Sequence, residues 1–226
     1  IDAVQSAPHV ATDVQAIGCD FLVCSSYKFF GPHQGILWGR REILERLEPY
    51  KVRPAPGEIP DCFETGTQSH EDFAGVAAAI DSFAWIGSTM AQDYTSRWPH
   101  LSGRCQTLHA AMDFLFDYEK GLAEHLINGL KQLDGVTIQG ISNDKAMQRR
   151  VPTVAFTHDR IGSATIAESL AQKNIFVWSG HNYAIEVAKA LGIYDTGGAV
   201  RVGPVHYNSQ AEIDCLLGEL KPILSR

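Results

Sequence analysis

The stretch from Asp20 to Gly39, DFLVCSSYKFFGPHQGILWG, contains the features that decide the fold. Asp20 to Cys24 is an apolar run typical of a buried strand, and it ends in small polar residues and a single lysine, Lys28. A turn rich in glycine and proline follows, and a second apolar run, Ile36 to Trp38, predicts another strand. Strands that present polar residues at their carboxyl ends form the ligand sites of open α/β sheets. The sequence therefore predicts an α/β protein with a site around Lys28.

The residue types near Lys28 suit an aldehyde cofactor, pyridoxal 5'-phosphate. Lysine supplies the primary amine that captures an aldehyde, and a carboxylate such as Asp2 can keep the pyridine nitrogen protonated so that the ring accepts electrons. Ser25 and Tyr27 flank the lysine and can hydrogen-bond phosphate oxygens, and Gln5 is included with them as a cofactor-binding residue. Taken singly, a lysine or aspartate at a strand end is usually a surface or turn residue. The prediction depends on the whole set and its spacing.

Four segments carry a resemblance to a known family: DAVQSAPH, DFLVCSSYKFFGPHQGILWGR, FETGTQ and VRVGPVHYNSQAEID. They resemble class V aminotransferases, the cysteine-desulfurase-like branch of fold-type I pyridoxal-phosphate enzymes, and in particular a subgroup with YKFFGPH around the lysine. The resemblance covers nearly the whole chain. It implies the C-terminal part of a fold-type I transferase: the end of the large mixed-sheet domain, residues 1–92, followed by a small α/β C-terminal domain, residues 93–226.

The resemblance also implies roles for individual residues and a partner. Lys28 would form the Schiff base with the cofactor, and Arg201 would bind the carboxylate of a small amino-acid substrate through its planar guanidinium. In the family, the loop that matches FETGTQ reaches across a dimer interface, and its second threonine, Thr67 here, contacts the cofactor phosphate of the partner subunit. A homodimer with shared active sites is therefore expected.

The loop Ser179 to Ala184, SGHNYA, departs from the cysteine desulfurases of this branch. Those enzymes carry a nucleophilic cysteine where this chain has Tyr183, and a phenol cannot hold sulfur as a persulfide. The sequence therefore predicts an enzyme without the persulfide cysteine, and it leaves lyase, epimerase, aminotransferase and desulfurase outcomes open. The alternative is a degenerate or truncated protein of the same fold with a non-catalytic interaction role.

Composition limits the other classes of function. The net charge of −7 provides no basic field for nucleic acid or an anionic membrane surface, and no apolar run approaches the roughly 20 residues of a membrane span. The five cysteines are odd in number and include no CxxC pair, so neither a disulfide framework nor a metal site is expected, and a reducing cytoplasm is the expected compartment. Because the chain opens on Ile1 and already reads as the end of a strand, it is interpreted as the C-terminal part of a longer enzyme.

The remaining pattern predicts the elements around these motifs. The last helix should begin at a capping box, Ser209 to Glu212. Further helices and strands are expected at Arg40–Leu47, Glu71–Ile86, Cys105–Leu133 with an interruption near Lys120, Val136–Gln139, Val151–Phe156, Ser163–Lys173, Ile175–Trp178, Tyr183–Leu191 and Ala199–Val202.

Overall fold

A computed structural model of the chain describes residues 1–64 and 66–225, and the chain divides into two compact units, Ile1–Phe114 and Leu115–Arg226. Both units contain helices and strands, which confirms the predicted α/β class. The domain division proposed at residues 92 and 93 comes from the family resemblance and stays a prediction.

The first unit contains an antiparallel hairpin formed by the stretch from Asp20 to Gly39. Strand β1, Phe21–Ser25, pairs with strand β2, Gly35–Gly39, and a 3₁₀ helix, Ser26–Phe29, begins the connection between them. Leu22 is 7% exposed whereas Leu37 is 62% exposed, so the hairpin has a buried face and an open face. Both strands lie within two residues of their predicted bounds.

Helices make up most of the rest of the first unit. Helix α1, Val14–Ile17, begins where the Asp13 carboxylate accepts hydrogen bonds from the next backbone N–H groups. Helix α2, Arg41–Leu44, is shorter than predicted. The other helical segments are the 3₁₀ helices Asp61–Phe63 and Gln92–Arg97, helix α3, His70–Thr89, and the start of helix α4, Gly103–Leu130.

Helices α3 and α4 approach closely at one glycine of the first unit. A Cβ atom added to Gly87 would lie 2.1 Å from the carbonyl oxygen of Thr107. Only the absence of a side chain at Gly87 allows this spacing between the two helix backbones.

The second unit is a sheet of four antiparallel strands in the order β3-β4-β6-β5. The strands are β3, Val136–Gln139, β4, Val154–His158, β5, Trp178–Gly180, and β6, Ala199–Val202. In β4 the buried Val154 and Phe156 alternate with less buried residues, as the two-residue period of a strand requires.

Helices of the second unit bury the apolar face of this sheet. The last part of α4, helix α5, Ser163–Ala171, and helix α7, Gln210–Leu224, supply residues to one core with strands β4 and β6, whereas the short helix α6, Ile185–Ala190, lies more exposed. Helix α7 begins at the predicted capping box: the Ser209 side chain accepts from the Glu212 N–H, and the Glu212 side chain accepts from the Ser209 N–H.

Three predicted features of the second unit differ from the structure: an interruption within α4, the start of β4 and the position of β5. Helix α4 runs through Lys120 and Gly121 without the predicted break, because the neighbouring Leu122 and Ala123 pack in the core and outweigh the low helix propensity of glycine. Strand β4 begins at Val154 rather than at Val151, since Pro152 has no N–H to donate to a strand ladder. Strand β5 occupies Trp178–Gly180, later than the predicted Ile175–Trp178.

A further property concerns membranes. Within the residues that the structure describes, no helix combines the length and the apolar character needed to cross a bilayer.

Candidate active site

Lys28 lies on the 3₁₀ helix that directly follows strand β1, and its side chain is half-buried. Its ammonium nitrogen is 4.8 Å from the centroid of the Tyr27 ring. Over residues 1–64 and 66–225, no carboxylate lies within 4.0 Å of this nitrogen. The amine is therefore not committed to an ion pair and is available for a ligand.

The turn that carries Lys28 is held by a buried serine that the sequence analysis did not single out. The Ser26 side chain is fully buried, and its hydroxyl lies 2.5 Å from the Pro32 carbonyl oxygen and 3.2 Å from the Gln34 carbonyl oxygen. A Cβ atom added to Gly31 would lie 2.9 Å from the Ser26 Cβ atom. The Gly31-Pro32 pair was a visible turn signal, but the partner against which it packs could not be read from the sequence.

Asp2 is brought beside strand β1 by a parallel bridge to Val23. Ala3 N–H donates to the Val23 carbonyl over 2.8 Å, and Val23 N–H donates to the Ile1 carbonyl over 2.9 Å. Parallel segments end at the same edge of a sheet, so Asp2 lies on a segment that runs toward the same edge as the start of the Lys28 turn. The carboxylate is exposed, and one of its oxygens accepts a hydrogen bond of 2.9 Å from the Val4 N–H.

The other proposed phosphate and cofactor ligands lie near this edge or on a separate loop. Ser25 is the last residue of β1 and is half-buried, and Gln5 is exposed in the turn after Asp2. Tyr27 is 45% exposed, and its ring stacks on His33 with 5.2 Å between ring centroids. Thr67 is exposed next to Gly66, which adopts a left-handed φ of 75°. Thr65, the first threonine of FETGTQ, lies outside the described residues.

The donor set in the first unit fits pyridoxal phosphate chemically. An aldehyde requires an amine, a pyridine nitrogen a carboxylate, and a phosphate hydroxyl groups. The first unit supplies the Lys28 amine, which makes no ion pair with the described residues, an exposed carboxylate on a neighbouring parallel segment, and hydroxyl groups. The hydrogen bond from the Ser26 hydroxyl to the Pro32 carbonyl also stabilises the turn that carries the amine.

Arg201 belongs to the second unit, at the centre of strand β6. Its neighbours Val200 and Val202 are 0% and 8% exposed in the core, so the alternation of the strand directs Arg201 to the opposite face of the sheet. Ala155 on β4 and Trp178 on β5 stand directly opposite it. No carboxylate of the described residues lies within ion-pair distance of its guanidinium, which therefore remains available to an anionic ligand.

The loop that follows Arg201 is tied to helix α4. Glu119 is 1% exposed, and its Oε1 atom accepts from the His206 N–H over 3.0 Å and lies 3.5 Å from the His206 Nδ1 atom. The Tyr118 hydroxyl donates to the Asn208 carbonyl over 2.6 Å. These contacts were not predicted, because the pairing of positions so distant in the sequence leaves no local signal.

Tyr183 lies in the loop between β5 and α6 and is 93% exposed. Asn182 and Tyr183 both have left-handed backbone conformations, with φ of 52° and 62°, which non-glycine residues rarely adopt. Tyr183 N–H donates to the Nδ1 atom of His181 over 3.2 Å, which stabilises this tight loop. Cys215, the nearest cysteine in sequence, is exposed on helix α7.

Comparisons with known proteins extend these observations. A family model for class-V aminotransferases matches residues 1–216. An aminotransferase-like protein of Gibberella zeae is 31% identical over 99% of this chain, and a probable cysteine desulfurase of Synechocystis sp. is 28% identical over 98% of it. The match covers 51% and 49% of those proteins, so the chain spans about half the length of the curated relatives it matches.

A solved structure agrees with the fold. The apo structure of a cysteine desulfurase from Thermococcus onnurineus superposes with a TM-score of 0.80 at 26% identity, covering 99% of this chain and 52% of that one. This confirms the fold predicted from the four sequence segments. Class-V aminotransferases and cysteine desulfurases are enzymes that depend on pyridoxal phosphate. With a family model matched from residue 1 to residue 216, the chain belongs to the class-V aminotransferase family.

Proposed function

We propose that the complete protein is a pyridoxal-phosphate-dependent transferase or lyase that acts on a small amino acid. The observation that carries the proposal is the Lys28 turn. Its lysine makes no ion pair with the described residues, the Ser26 hydroxyl holds the turn at the end of β1, and a parallel segment beside it carries Asp2. The family match over residues 1–216 supports it, since the enzymes of this family use this cofactor.

Each residue has a separate role in this proposal. Bound pyridoxal phosphate supplies an electron sink that acidifies the bonds at the substrate α-carbon. Lys28 would hold the cofactor through its aldehyde, and its amine would hold or return a proton at the Nζ atom. Asp2 keeps a proton on the pyridine nitrogen, and Ser25, Tyr27 and Gln5 bind the cofactor by hydrogen bonds. Arg201 orients the substrate through its carboxylate.

Borohydride reduction followed by peptide mapping tests the central assignment. Incubation of the protein with pyridoxal phosphate and reduction should leave a phosphopyridoxyl group on Lys28, because no carboxylate of the described residues pairs with this amine. Lys28→Arg should abolish the label while keeping the positive charge. A label on an exposed lysine such as Lys131, with Lys28 unmodified, would contradict the assignment.

We also propose a homodimer in which Thr67 completes the phosphate site of the partner subunit. The exposed Thr67 next to a left-handed glycine suits contact with an anion bound elsewhere. Mixed dimers of Lys28→Ala and Thr67→Ala subunits should recover part of the activity, because one of the two shared sites then contains neither substitution. Proven mixed dimers that stay inactive would show that the sites are not shared.

A third element of the proposal concerns sulfur. Tyr183 occupies the loop position of the desulfurase cysteine, so we expect little or no persulfide-dependent turnover of L-cysteine, even by the complete enzyme. Slow elimination could still release sulfide, leaving pyruvate and ammonia, whereas desulfuration leaves alanine. Rapid alanine formation with a trapped persulfide on Cys62, Cys105 or Cys215 would refute this expectation.

The cysteines also support a compartment. All five are free thiols, which suits a reducing environment, and we place the protein in the cytoplasm on that basis. Isolation of the protein from an oxidising compartment with its thiols paired would contradict the placement.

A further inference from the structure

The face of the sheet opposite the core carries a row of four residues that are cross-strand neighbours. Gln139 stands opposite Ala155, Ala155 opposite Arg201, and Arg201 opposite Trp178. Directly opposite residues have Cβ atoms about 4.5–5.5 Å apart. Trp178 is therefore the large residue beside Arg201 on one side of the row, and Ala155, with only a methyl group, is its neighbour on the other side.

Trp178 lies on the face of the sheet away from the core, and more than half of the residue is exposed. Its side of β5 is opposite to that of Ser179, which pairs with the buried Val200, and the residue as a whole is 58% exposed. An exposed indole is costly to leave in water and is a favourable surface for a flat or apolar ligand group. Beside it stands a guanidinium without an ion pair in the described part of the chain.

The far end of the row differs in chemistry. The Gln139 side chain donates from Nε2 to the Thr157 hydroxyl over 3.2 Å, which holds a polar amide on β3. Neighbouring strands are about 4.7–4.9 Å apart. Gln139, two strands away, is therefore roughly 10 Å from Arg201, and Trp178, one strand away, is roughly 5 Å from it. A ligand whose carboxylate lies on Arg201 therefore meets an apolar surface on the β5 side and a polar one on the β3 side.

We propose that Trp178 is a specificity-determining residue, which packs against the side chain of a carboxylate ligand held by Arg201 and favours amino acids with aromatic or large aliphatic side chains. The inference rests on the role proposed for Arg201. It concerns only the carboxylate and the side chain of the ligand, so it can be tested without the cofactor.

The test is a titration of the full 226-residue chain, labelled with ¹⁵N, with 3-phenylpropionate, propionate and 2-phenylethanol. The chain has four tryptophans, and Trp178→Phe identifies the indole signal of Trp178. We expect 3-phenylpropionate to shift this signal saturably and to bind about tenfold or more tightly than propionate, a typical preference of an apolar pocket. The alcohol, which lacks the carboxylate, should bind weakly.

Variants separate a specificity role from a structural one. Trp178→Ala should bring the ratio of the two carboxylate affinities close to one, Trp178→Phe should keep most of it, and Arg201→Ala should weaken both carboxylates. Unchanged backbone amide signals of core residues of the second unit, such as Val154 and Val200, show that each variant is folded. Equal binding of both carboxylates by the parent chain, or a ratio unaffected by Trp178→Ala, would overturn the proposal.

The outcome is independent of the labelling of Lys28. If borohydride leaves Lys28 unmodified but the preference for 3-phenylpropionate depends on Trp178, only the proposed cofactor chemistry fails. If Lys28 is labelled and the preference is absent, only the role of Trp178 fails.

Discussion

Replacement of Glu119 is the most direct way to ask how the loop after Arg201 is held. Glu119 is 1% exposed, and it accepts a hydrogen bond of 3.0 Å from the His206 N–H. Glu119→Leu keeps a side chain of similar size but removes this acceptor, while Glu119→Gln keeps a carbonyl oxygen at the same distance along the side chain. The pair separates loss of the hydrogen bond from loss of the charge.

The size of the effect follows from the burial and the contact. A hydrogen bond to a charged group contributes about 1.5–3 kcal/mol, and a neutral one about 0.5–1.5 kcal/mol. Because leucine is close to glutamate in volume, the cavity contribution is small. We therefore expect Glu119→Leu to lower the free energy of unfolding by about 1.5–3 kcal/mol, and Glu119→Gln by roughly half as much.

Urea unfolding followed by far-ultraviolet circular dichroism measures both variants against the parent chain. In the complete protein, the Leu variant should also raise KM for the proposed amino-acid substrate more than it lowers kcat. The reason is that the loop directly follows Arg201, the residue proposed to bind the substrate carboxylate. Equal stability of the Leu variant and the parent, or a Gln variant as damaged as the Leu variant, would refute the role of the hydrogen bond.

Two further predictions concern helices. Gly87→Ala should lower the free energy of unfolding by about 1–3 kcal/mol, because its new methyl group meets the backbone oxygen of Thr107, whereas Gly121→Ala, which has open space, should be neutral or stabilise by up to about 1 kcal/mol. Urea unfolding measures the free energy of unfolding of both variants, and an equal change in the two would contradict the close approach of α3 and α4. Hydrogen bonds from Ser209 lower the pKa of Glu212 from its ordinary value of 4.5. A carboxyl with a depressed folded pKa stabilises the protein above its unfolded pKa and loses this contribution as the pH falls through the folded value. The stability difference between the parent and Glu212→Gln should thus be present at neutral pH and vanish in acid, and a difference independent of pH would contradict the cap.

Local signals in the sequence were sufficient where the responsible interactions are local. The start of α7 was predicted because Ser209 and Glu212 cap the helix within a single turn. Strands β1 and β2 were predicted because an apolar run, a glycine-proline turn and a second apolar run follow each other directly, whereas their antiparallel pairing is a finding of the structure.

Where the interactions are distant, the sequence was a weaker guide. The apolar run at Ile175–Trp178 predicted a strand there, but Ile175 and Val177 pack against the core while ladder pairing begins only at Trp178. Trp178 was therefore not recognised as the neighbour of Arg201, since that relation depends on the register between β5 and β6. The contact of Glu119 with His206 depends in the same way on tertiary packing.

The two faces of the sheet in the second unit differ: one face packs in the core and the other does not. Every buried strand residue that belongs to the core, such as Val154, Phe156 and Val200, points toward the helices, while the row with Arg201 and Trp178 adds no side chain to that core. Substitutions in the row should therefore cost little in folding stability. A lineage, or an engineer, could therefore exchange Trp178 or Ala155, and so vary the ligand preference proposed for this face, without first acquiring compensating mutations elsewhere.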